Sequence, residues 1–177
     1  MSENDLAQND GQRFDRLPAT PADREVEGRA SREEVVDWWQ DRFAVPPETF
    51  EDVTFWEKGS GKIWAFSADL PSPVRVEGLG ITLLRTRQEH WKPTTTGVKR
   101  FGRDATENVI DLEPGEAAAF ATGHDQQLDR WDGDWGYLIA AHELAGEREP
   151  IGVGLYLHGE LRSRVPKGYQ EDLAVLE

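Results

Sequence analysis

The stretch "GYLIAAHELAGEREPIGVGLYLHGELRSRV" (residues 136–165) carries the pattern that decides the fold. Three short segments rich in apolar and β-branched residues follow one another here, and turns that contain glycine or charged residues separate them. Apolar runs of this length bounded by turn residues predict β-strands. We place these strands within residues 136–144, 150–159 and 160–165. A chain that ends in consecutive strands of this kind is typical of a small mixed barrel.

A helix and a hairpin are predicted upstream of these strands. Ser31 followed by Glu34 forms a capping-box pattern that marks the start of a helix. Apolar positions then recur at helical spacing until "VPPE", where proline ends the helix. The aromatic segments "EDVTFWE" and "KIWAFS" follow, separated by "KGSG". They predict a β-hairpin.

The remaining segments complete an α+β pattern. "ITLLRTR" and "NVIDL" predict strands, and "EPGEAAAFATG" predicts a short helix with proline in its first turn and Gly123 as its stop. "HWKPTTTGVKRFGR" (residues 90–103) and "HDQQLDRWDGDW" predict loops, the first long enough for one helical turn. Residues 1–30 are polar and predict a disordered tail. We therefore expect a tail at 1–30, a small α/β unit at 31–80 and a mixed β-barrel at 81–177.

The composition is strongly acidic. The chain of 177 residues has 34 acidic and 20 basic residues, a formal net charge of -14. An acidic, lysine-poor surface resembles those of proteins from salt-loving microbes, and the alternative is an ordinary acidic cytosolic protein. In molar salt the Debye length is about 3 Å, so local patches rather than net charge decide what such a surface binds.

Cysteine is absent from the sequence, which excludes disulfides, thiolate metal sites and cysteine nucleophiles. The first residues contain no apolar run of the signal-peptide type, and no later stretch is long enough to span a bilayer. We therefore expect a soluble, cytoplasmic protein that does not bind a membrane.

One segment runs against the acidic background. Between residues 85 and 103, six residues are basic and only Glu89 is acidic. Arginine and lysine bind phosphates, and Trp91 offers a flat face on which a base could stack. The alternative is that Trp91 packs in the core and the cations form ordinary salt bridges. The predicted RNA contacts in this segment are Arg85, Arg87, Trp91, Lys92, Lys99, Arg100 and Arg103.

A second basic group lies near the end of the chain. Alternation along "ELRSRV" places Arg162 and Arg164 on the strand face opposite Leu161. We add these two arginines and Lys167 to the predicted RNA-binding residues. The alternative is a solvated strand face.

Other polar residues predict no further chemistry. The spacing of the four histidines matches no zinc motif. Asp129, Asp132 and Asp134 lie close together but lack the remaining ligands of a calcium loop. No two carboxylates stand out as a catalytic pair. We expect no catalytic residue, no metal and no cofactor.

Several segments together resemble a known family. "VVDWWQDRFAVPPETFEDVTFWEKGSGKIWAFS" resembles the segment after the catalytic domain in some Sun-family (RsmF-like) RNA cytosine-5 methyltransferases. "GLGITLLRT", "KPTTTGVKRFG" and "GYLIAA…IGVGLYLHGELRSRVPKG" look like the PUA-type barrel that comes next in that family. The similarity covers about residues 31–170 in the same order. It implies a PUA-like barrel with an inserted short helix, a fold that docks on structured RNA.

The chain also departs from that family. It has no glycine-rich loop for S-adenosylmethionine, and it lacks the family's catalytic cysteines. We therefore expect a stand-alone, non-catalytic protein that holds structured rRNA or tRNA during RNA modification or ribosome assembly, with a separate RNA-modifying enzyme as a possible partner. One alternative is a protein-interaction module that no longer binds RNA and uses the acidic loop around Asp132. Another is an enzyme with an unrecognised acidic site.

Overall fold

The computed structural model describes residues 12–168, and within them the chain forms two β-sheets and three α-helices. The fold is therefore α+β, as the sequence predicts, and it includes a sheet curled into half a barrel. The helices are α1 (Arg32–Phe43), α2 (Thr95–Phe101) and α3 (Pro114–Ala121). The strands are β1 (Arg13–Arg16), β2 (Thr54–Lys58), β3 (Lys62–Phe66), β4 (Val74–Arg75), β5 (Ile81–Arg85), β6 (Lys92–Pro93), β7 (Val109–Asp111), β8 (Gln126–Gln127), β9 (Gly136–Leu144), β10 (Glu147–Leu157) and β11 (Glu160–Ser163).

Two compact units divide the chain. Unit 1 contains the described residues up to Trp39 together with Pro47–Lys92, and unit 2 contains Gln40–Pro46 and the described residues from Pro93 onward. The boundary predicted from the sequence lies after residue 80. Strand β5 belongs to unit 1 because it pairs with β3 of the predicted hairpin. The basic segment 85–103 is therefore shared between the units, and each half is described within its own unit.

Unit 1 is built on a sheet with the strand order β4-β1-β2-β3-β5-β6. The hairpin β2–β3 is the one predicted from the sequence, and its strands pair from Thr54↔Phe66 to Lys58↔Lys62. A cluster centred on buried Phe14, Trp56 and Leu79 forms part of its core. Phe50 also contributes to the core of unit 1, because its ring lies 5.5 Å from that of Phe55.

Strand β1 corrects the expected disordered tail. Phe14 is fully buried, and β1 pairs antiparallel with both β2 and β4. The segment is too polar and too short to be identified as a strand from its sequence, but its one aromatic side chain fills a place in the core of unit 1. The prediction of disorder is thus wrong for this strand, and it is also wrong for residues 17–30, where Leu17 and Ala30 are buried and Pro21–Asp23 forms a 3-10 helix. The remainder of that prediction, at residues 1–11, lies outside the described residues.

Helix α1 begins as the sequence predicts. The Ser31 backbone N–H donates to Glu34 Oε1 at 3.0 Å, and the Glu34 N–H donates to Ser31 Oγ at 3.1 Å. These two hydrogen bonds form the capping box and satisfy amides that have no partner inside the helix. The helix ends before Ala44, whose φ of 54° is left-handed.

Unit 2 is built on a sheet with the strand order β7-β9-β10-β11-β8. Strands β9, β10 and β11 form consecutive antiparallel pairs, as the sequence predicts, and β7 pairs parallel with β9. Helix α3 contributes Phe120 to a core that includes Leu138, Tyr156 and Leu161. The predicted capping and stop signals of α3 are present, since Pro114 is its first residue and Gly123 has a φ of 89°.

The segment 90–103 contains more regular structure than the predicted loop. Thr94 caps helix α2 by accepting a hydrogen bond from the Gly97 N–H at 2.9 Å, and Val98 and Phe101 are buried. The prediction of a long loop with one turn is wrong because these two apolar side chains anchor a helix of seven residues. Within residues 12–168, no helix is long and apolar enough to cross a membrane.

Candidate nucleic-acid interface

Three cations lie side by side across the sheet of unit 1. Lys58 of β2 pairs with Lys62 of β3, and Lys62 pairs with Arg85 of β5. Residues directly opposite one another in antiparallel strands point to the same face, with Cβ atoms about 5 Å apart. We call Lys58, Lys62 and Arg85 the basic row. It spans roughly 10 Å of the sheet surface.

Arg87 lies at the turn end of the basic row. The Thr86 N–H donates to the Gly61 carbonyl at 2.8 Å, which holds the chain after β5 against the turn between Lys58 and Lys62. Gly61 has a φ of +80°, and a Cβ added there would lie 2.7 Å from Arg87 Cβ. Glycine is therefore required at position 61 for both its backbone angle and the close approach of Arg87.

The cations of the basic row, and Arg87, have no carboxylate partner among residues 12–168. Lys58 Nζ donates instead to the Glu77 carbonyl at 2.7 Å. Like charges placed directly opposite each other across two strands destabilise a sheet. Acidic residues outnumber basic ones in this chain, yet none forms an ion pair with the row within residues 12–168. The row therefore indicates a surface suited to binding an anion.

Aromatic rings hold the two lysines of the basic row. The Nζ atoms of Lys58 and Lys62 lie 5.8 and 5.4 Å from the centroid of the Trp64 ring, and Lys58 Nζ also lies 5.4 Å from that of Phe14. A cation over an aromatic face gains about 0.5–1 kcal/mol at an exposed site. These contacts offset part of the repulsion in the row and keep both ammonium groups near its surface.

Trp91 and Lys92 follow in unit 1. Trp91 is half-buried, and its ring centroid lies 6.5 Å from that of Trp38 at an interplanar angle of 35°. Part of this side chain therefore packs against helix α1, as in the core alternative, while the rest is accessible. Lys92 is half-buried in β6, the strand after β5 in the sheet.

The cations of α2 lie in unit 2. Lys99 and Arg100 are exposed in the last turn of the helix, where positive charge interacts favourably with the helix dipole. The Arg100 guanidinium also lies 5.6 Å from the centroid of the Phe101 ring. Both residues therefore contribute to the structure of α2, independently of any ligand that they bind.

Two other predicted cations of unit 2 are engaged by acids. Arg103 forms ion pairs with Glu147 and Glu149. Arg162 Nε lies 2.7 Å from Glu160 Oε1. Arg103 is therefore found in the ordinary salt bridges that the alternative for its segment describes, and Arg162 is also engaged by an acid.

Arg164 and Lys167 are exposed, and no ion pair joins either to an acid within the described part of the chain. The Arg164 N–H donates to the Val153 carbonyl at 2.9 Å, so the pairing of β11 with β10 continues through this residue. Leu161 and Val165 are buried on the other face, as the predicted alternation requires.

The acidic and histidine residues form no metal centre within residues 12–168, where no group of three or more could hold an ion. An open cleft of about 590 Å³ in unit 2 is lined in part by Asp111, Glu113, His142 and Glu143. Two of these are already engaged. Asp111 pairs with Arg148 at 2.8 Å, and His142 Nδ1 lies 2.8 Å from the Leu112 carbonyl oxygen.

Lys58 and Lys62 are the residues that sequence reasoning missed. Lys58 is the first residue of the predicted turn "KGSG" and Lys62 follows it, so a hairpin closed by that turn places one lysine opposite the other. Their signal is therefore present in the hairpin register. The two lysines can be grouped with Arg85 of the basic segment only once β5 is known to lie beside β3 in the sheet.

Residues 1–80 match DUF7122, which is described as a family of unknown function. The match covers less than half of the chain, and it includes Lys58 and Lys62 but ends before Arg85. No curated protein matches the chain.

Proposed function

We propose that this protein is a non-catalytic RNA-binding protein that holds structured rRNA or tRNA during RNA modification or ribosome assembly. The observation that carries the proposal is the basic row, which has no carboxylate partner among residues 12–168 of a chain with a net charge of -14. Phosphate is the anion that a row formed by two half-buried lysines and an exposed arginine suits best, because each cation can release condensed counterions from RNA.

The acidic background is compatible with this proposal if the protein works at high salt. There the distant carboxylates are screened, and only contacts within a few ångströms matter. The basic row supplies such contacts at short range. A salt-adapted cytoplasm is accordingly part of the proposal.

The fold of unit 2 agrees with a PUA-like barrel. Its strands follow one another as antiparallel pairs, and a short helix lies between β7 and β8 in the chain. The resemblance to the RNA-binding end of Sun-family methyltransferases supports the same interpretation. The protein would then present RNA to a separate modifying enzyme, since the methyltransferase motifs are missing from this sequence.

The predicted site residues contribute unequally to the proposal. Arg85 and Arg87, together with Lys58 and Lys62, are its first contacts. Weaker contacts are assigned to the other predicted residues that are not in the ion pairs of Arg103 and Arg162. These are Trp91, Lys92, Lys99, Arg100, Arg164 and Lys167. Arg103 and Arg162 would have to leave their glutamates to bind phosphate.

Crosslinking of RNA to the protein in cells tests this function. We expect the wild-type chain to recover rRNA or tRNA, and the variant Lys62→Glu/Arg85→Glu to recover at least about tenfold less, because reversed charges repel phosphate. Circular dichroism and the melting temperature check that the variant is folded. If the folded variant recovered as much RNA as the wild type, the basic row would not be an RNA contact.

The variant Lys99→Glu/Arg100→Glu carries the same change of charge in unit 2. We expect it to weaken RNA recovery less than the reversal in the basic row and to leave the chain folded. A larger loss than that caused by Lys62→Glu/Arg85→Glu would place the main contact on helix α2. No RNA recovered by the wild-type protein would refute RNA binding altogether.

A further inference from the structure

Trp135, in unit 2, is 55% exposed, although it is among the largest apolar side chains of the protein. Tryptophan is highly buried on average, because its ring removes a large apolar area from water. The fold of unit 2 does not use this ring as core, unlike Trp131, which packs against Tyr156.

The backbone around Trp135 is held on both sides. The Trp131 indole N–H donates to the Asp134 carbonyl at 2.9 Å, and Arg42 Nη2 donates to the Trp135 carbonyl at 3.2 Å. The next residue, Gly136, already pairs with Tyr156 in the sheet. The exposed ring is therefore presented by an ordered backbone, which lowers the conformational cost of binding a ligand.

A second ring lies beside the first. The imidazole of His158 has its centroid 4.6 Å from that of Trp135, at an interplanar angle of 63°. His158 and Gly159 form the turn between β10 and β11, with φ angles of 51° and 83°. Turns of this two-residue type favour asparagine and glycine. Histidine at the first position brings an aromatic ring that the turn itself does not require.

Trp135 does not belong to an apolar patch. Among the described residues of unit 2, the other exposed large apolar side chain is Leu144, at the opposite end of β9 and about 30 Å away along the strand. The neighbours in sequence, Asp132 and Asp134, are exposed carboxylates. A stable protein interface needs roughly 800 Å² on each partner with an apolar centre. One isolated ring pair suits a flat aromatic ligand better.

We propose that Trp135 and His158 form a stacking site for an unpaired base of the bound RNA, an inference that rests on the proposed RNA-binding function. Every base has a π-face, so stacking on an exposed aromatic ring accepts any sequence. The His158 ring nitrogens add a donor or acceptor for the edge of the base. The nearby exposed carboxylate of Asp132 repels phosphate, whereas that of Asp134 lies 3.8 Å from Arg42 Nη1, so this site favours a base over the RNA backbone.

Binding of a labelled single-stranded adenosine RNA of about 12 nucleotides to the purified full chain tests the inference. We expect Trp135→Ala to weaken binding by about 5- to 150-fold, the range that the loss of one stacked base produces. The loss should be the same at each salt concentration, because stacking releases no counterions. Trp135→Phe, which keeps a flat ring, should retain most of the affinity, and Leu144→Ala should match the wild type.

An abasic ribose-phosphate strand of the same length provides the matched probe. Its binding should not respond to Trp135→Ala, because it offers phosphates without bases. If Trp135→Ala binds the adenosine RNA as tightly as the wild type, the stacking site is wrong while RNA binding stands. If the RNA responds to Trp135→Ala but not to Lys62→Gln/Arg85→Gln, the stacking site stands and the basic row does not. Capture of a nuclease-resistant protein partner through Trp135, without RNA binding, would overturn both.

Discussion

The basic row of unit 1 and the paired arginines of unit 2, Arg103 after helix α2 and Arg162 in β11, differ in their partners. Lys62 and Arg85 face each other across two strands with no carboxylate beside them among residues 12–168. Arg103 and Arg162 are both paired with glutamates. Counting cations along the sequence treats the two groups alike. Their partners show that only the first group is available without breaking an ion pair.

The two groups of cations differ in how much free energy phosphate binding would cost. An exposed ion pair contributes about 0–1 kcal/mol, so a phosphate could displace a glutamate at modest cost. Arg103 would lose two such partners and Arg162 one. Lys62 and Arg85 would lose none, and phosphate binding would relieve the repulsion between them. We therefore expect affinity to depend strongly on the basic row and weakly on the paired arginines.

Neutralising two cations in each unit tests this difference between the units most directly. We expect Lys62→Gln/Arg85→Gln to lower RNA affinity by about 100-fold or more, because each of the two charged hydrogen bonds contributes about 1.5 kcal/mol or more. The slope of log affinity against log salt should also become shallower by about 1.4 to 1.8, since two phosphate contacts disappear. Fluorescence anisotropy over a salt series measures both quantities.

The matched control is Arg103→Gln/Arg162→Gln, which removes the same charge from unit 2. Its salt slope should stay close to that of the wild type. Equal slopes for the two double variants would mean that an intramolecular partner does not decide which cations bind RNA, and the distinction between the units would fail.

Two glycines in the turn between β2 and β3 provide a second test of this surface. Both Gly59 and Gly61 have positive φ, but a Cβ on Gly59 meets nothing within 4 Å, whereas one on Gly61 meets Arg87. Gly59→Ala should cost about 1 kcal/mol of unfolding free energy for its backbone angle alone. Gly61→Ala should cost about 1 to 2 kcal/mol more and should also weaken RNA binding by displacing Arg87. Urea denaturation measures the difference, and equal stability of the two variants would contradict the close approach of Arg87.

The parts of the fold that the sequence predicts are those with local signals. The capping box at Ser31, the β2–β3 hairpin and the strands β9 to β11 each depend on residues close together in the chain. Helix α2 was missed because three threonines, a glycine and a proline favour a loop, while burial of Val98 and Phe101 decides the outcome. Strand β1 was missed for the same reason, since Phe14 finds its partners in distant strands.

The residues of the candidate site also divide into those that the local sequence predicts and those that depend on tertiary structure. The basic segment 85–103 is visible in the sequence, and Arg85 and Arg87 belong to it. The glutamates that engage Arg103 lie 44 and 46 residues further along the chain, so their pairing depends on tertiary structure. The two lysines that complete the basic row come from another strand pair. Composition locates positive charge, but only the sheet register shows which charges lie together.

The pair Glu116–Arg130 represents the structural use of a cation in unit 2. Both guanidinium Nη atoms donate to the carboxylate, at 2.6 and 2.7 Å, and the Glu113 N–H donates to it at 2.9 Å. The hydrogen bonds from Arg130 lower the pKa of Glu116, against a smaller effect of burial. A lowered carboxyl pKa stabilises the fold above the usual range and loses that contribution as pH falls through the lowered value.

We therefore expect Glu116→Gln to destabilise the protein by up to about 1 kcal/mol at pH 7, and by less as pH falls below about 4. Thermal unfolding of both proteins across that range measures the change. Lys62→Gln/Arg85→Gln should show no such loss at pH 7, because neutralising the row removes repulsion. A loss of stability in the row variant equal to that of Glu116→Gln would mean that those cations also serve the fold.

The smallest expected effect is a gain of binding from freeing a paired arginine. Glu147→Gln/Glu149→Gln leaves Arg103 without its two carboxylates, so the guanidinium becomes available to phosphate at no cost. We expect RNA affinity to rise a few-fold and the salt slope to steepen by about 0.7 to 0.9, the contribution of one phosphate contact. Glu107→Gln/Glu143→Gln is the control, because it removes the same negative charge from exposed positions of unit 2, breaks no ion pair found among the described residues and leaves Arg103 paired. A gain of equal size and slope in the control would show that net charge, rather than the release of Arg103, governs binding in this unit. A gain confined to Glu147→Gln/Glu149→Gln would show that intramolecular pairing is what separates the cations of the two units.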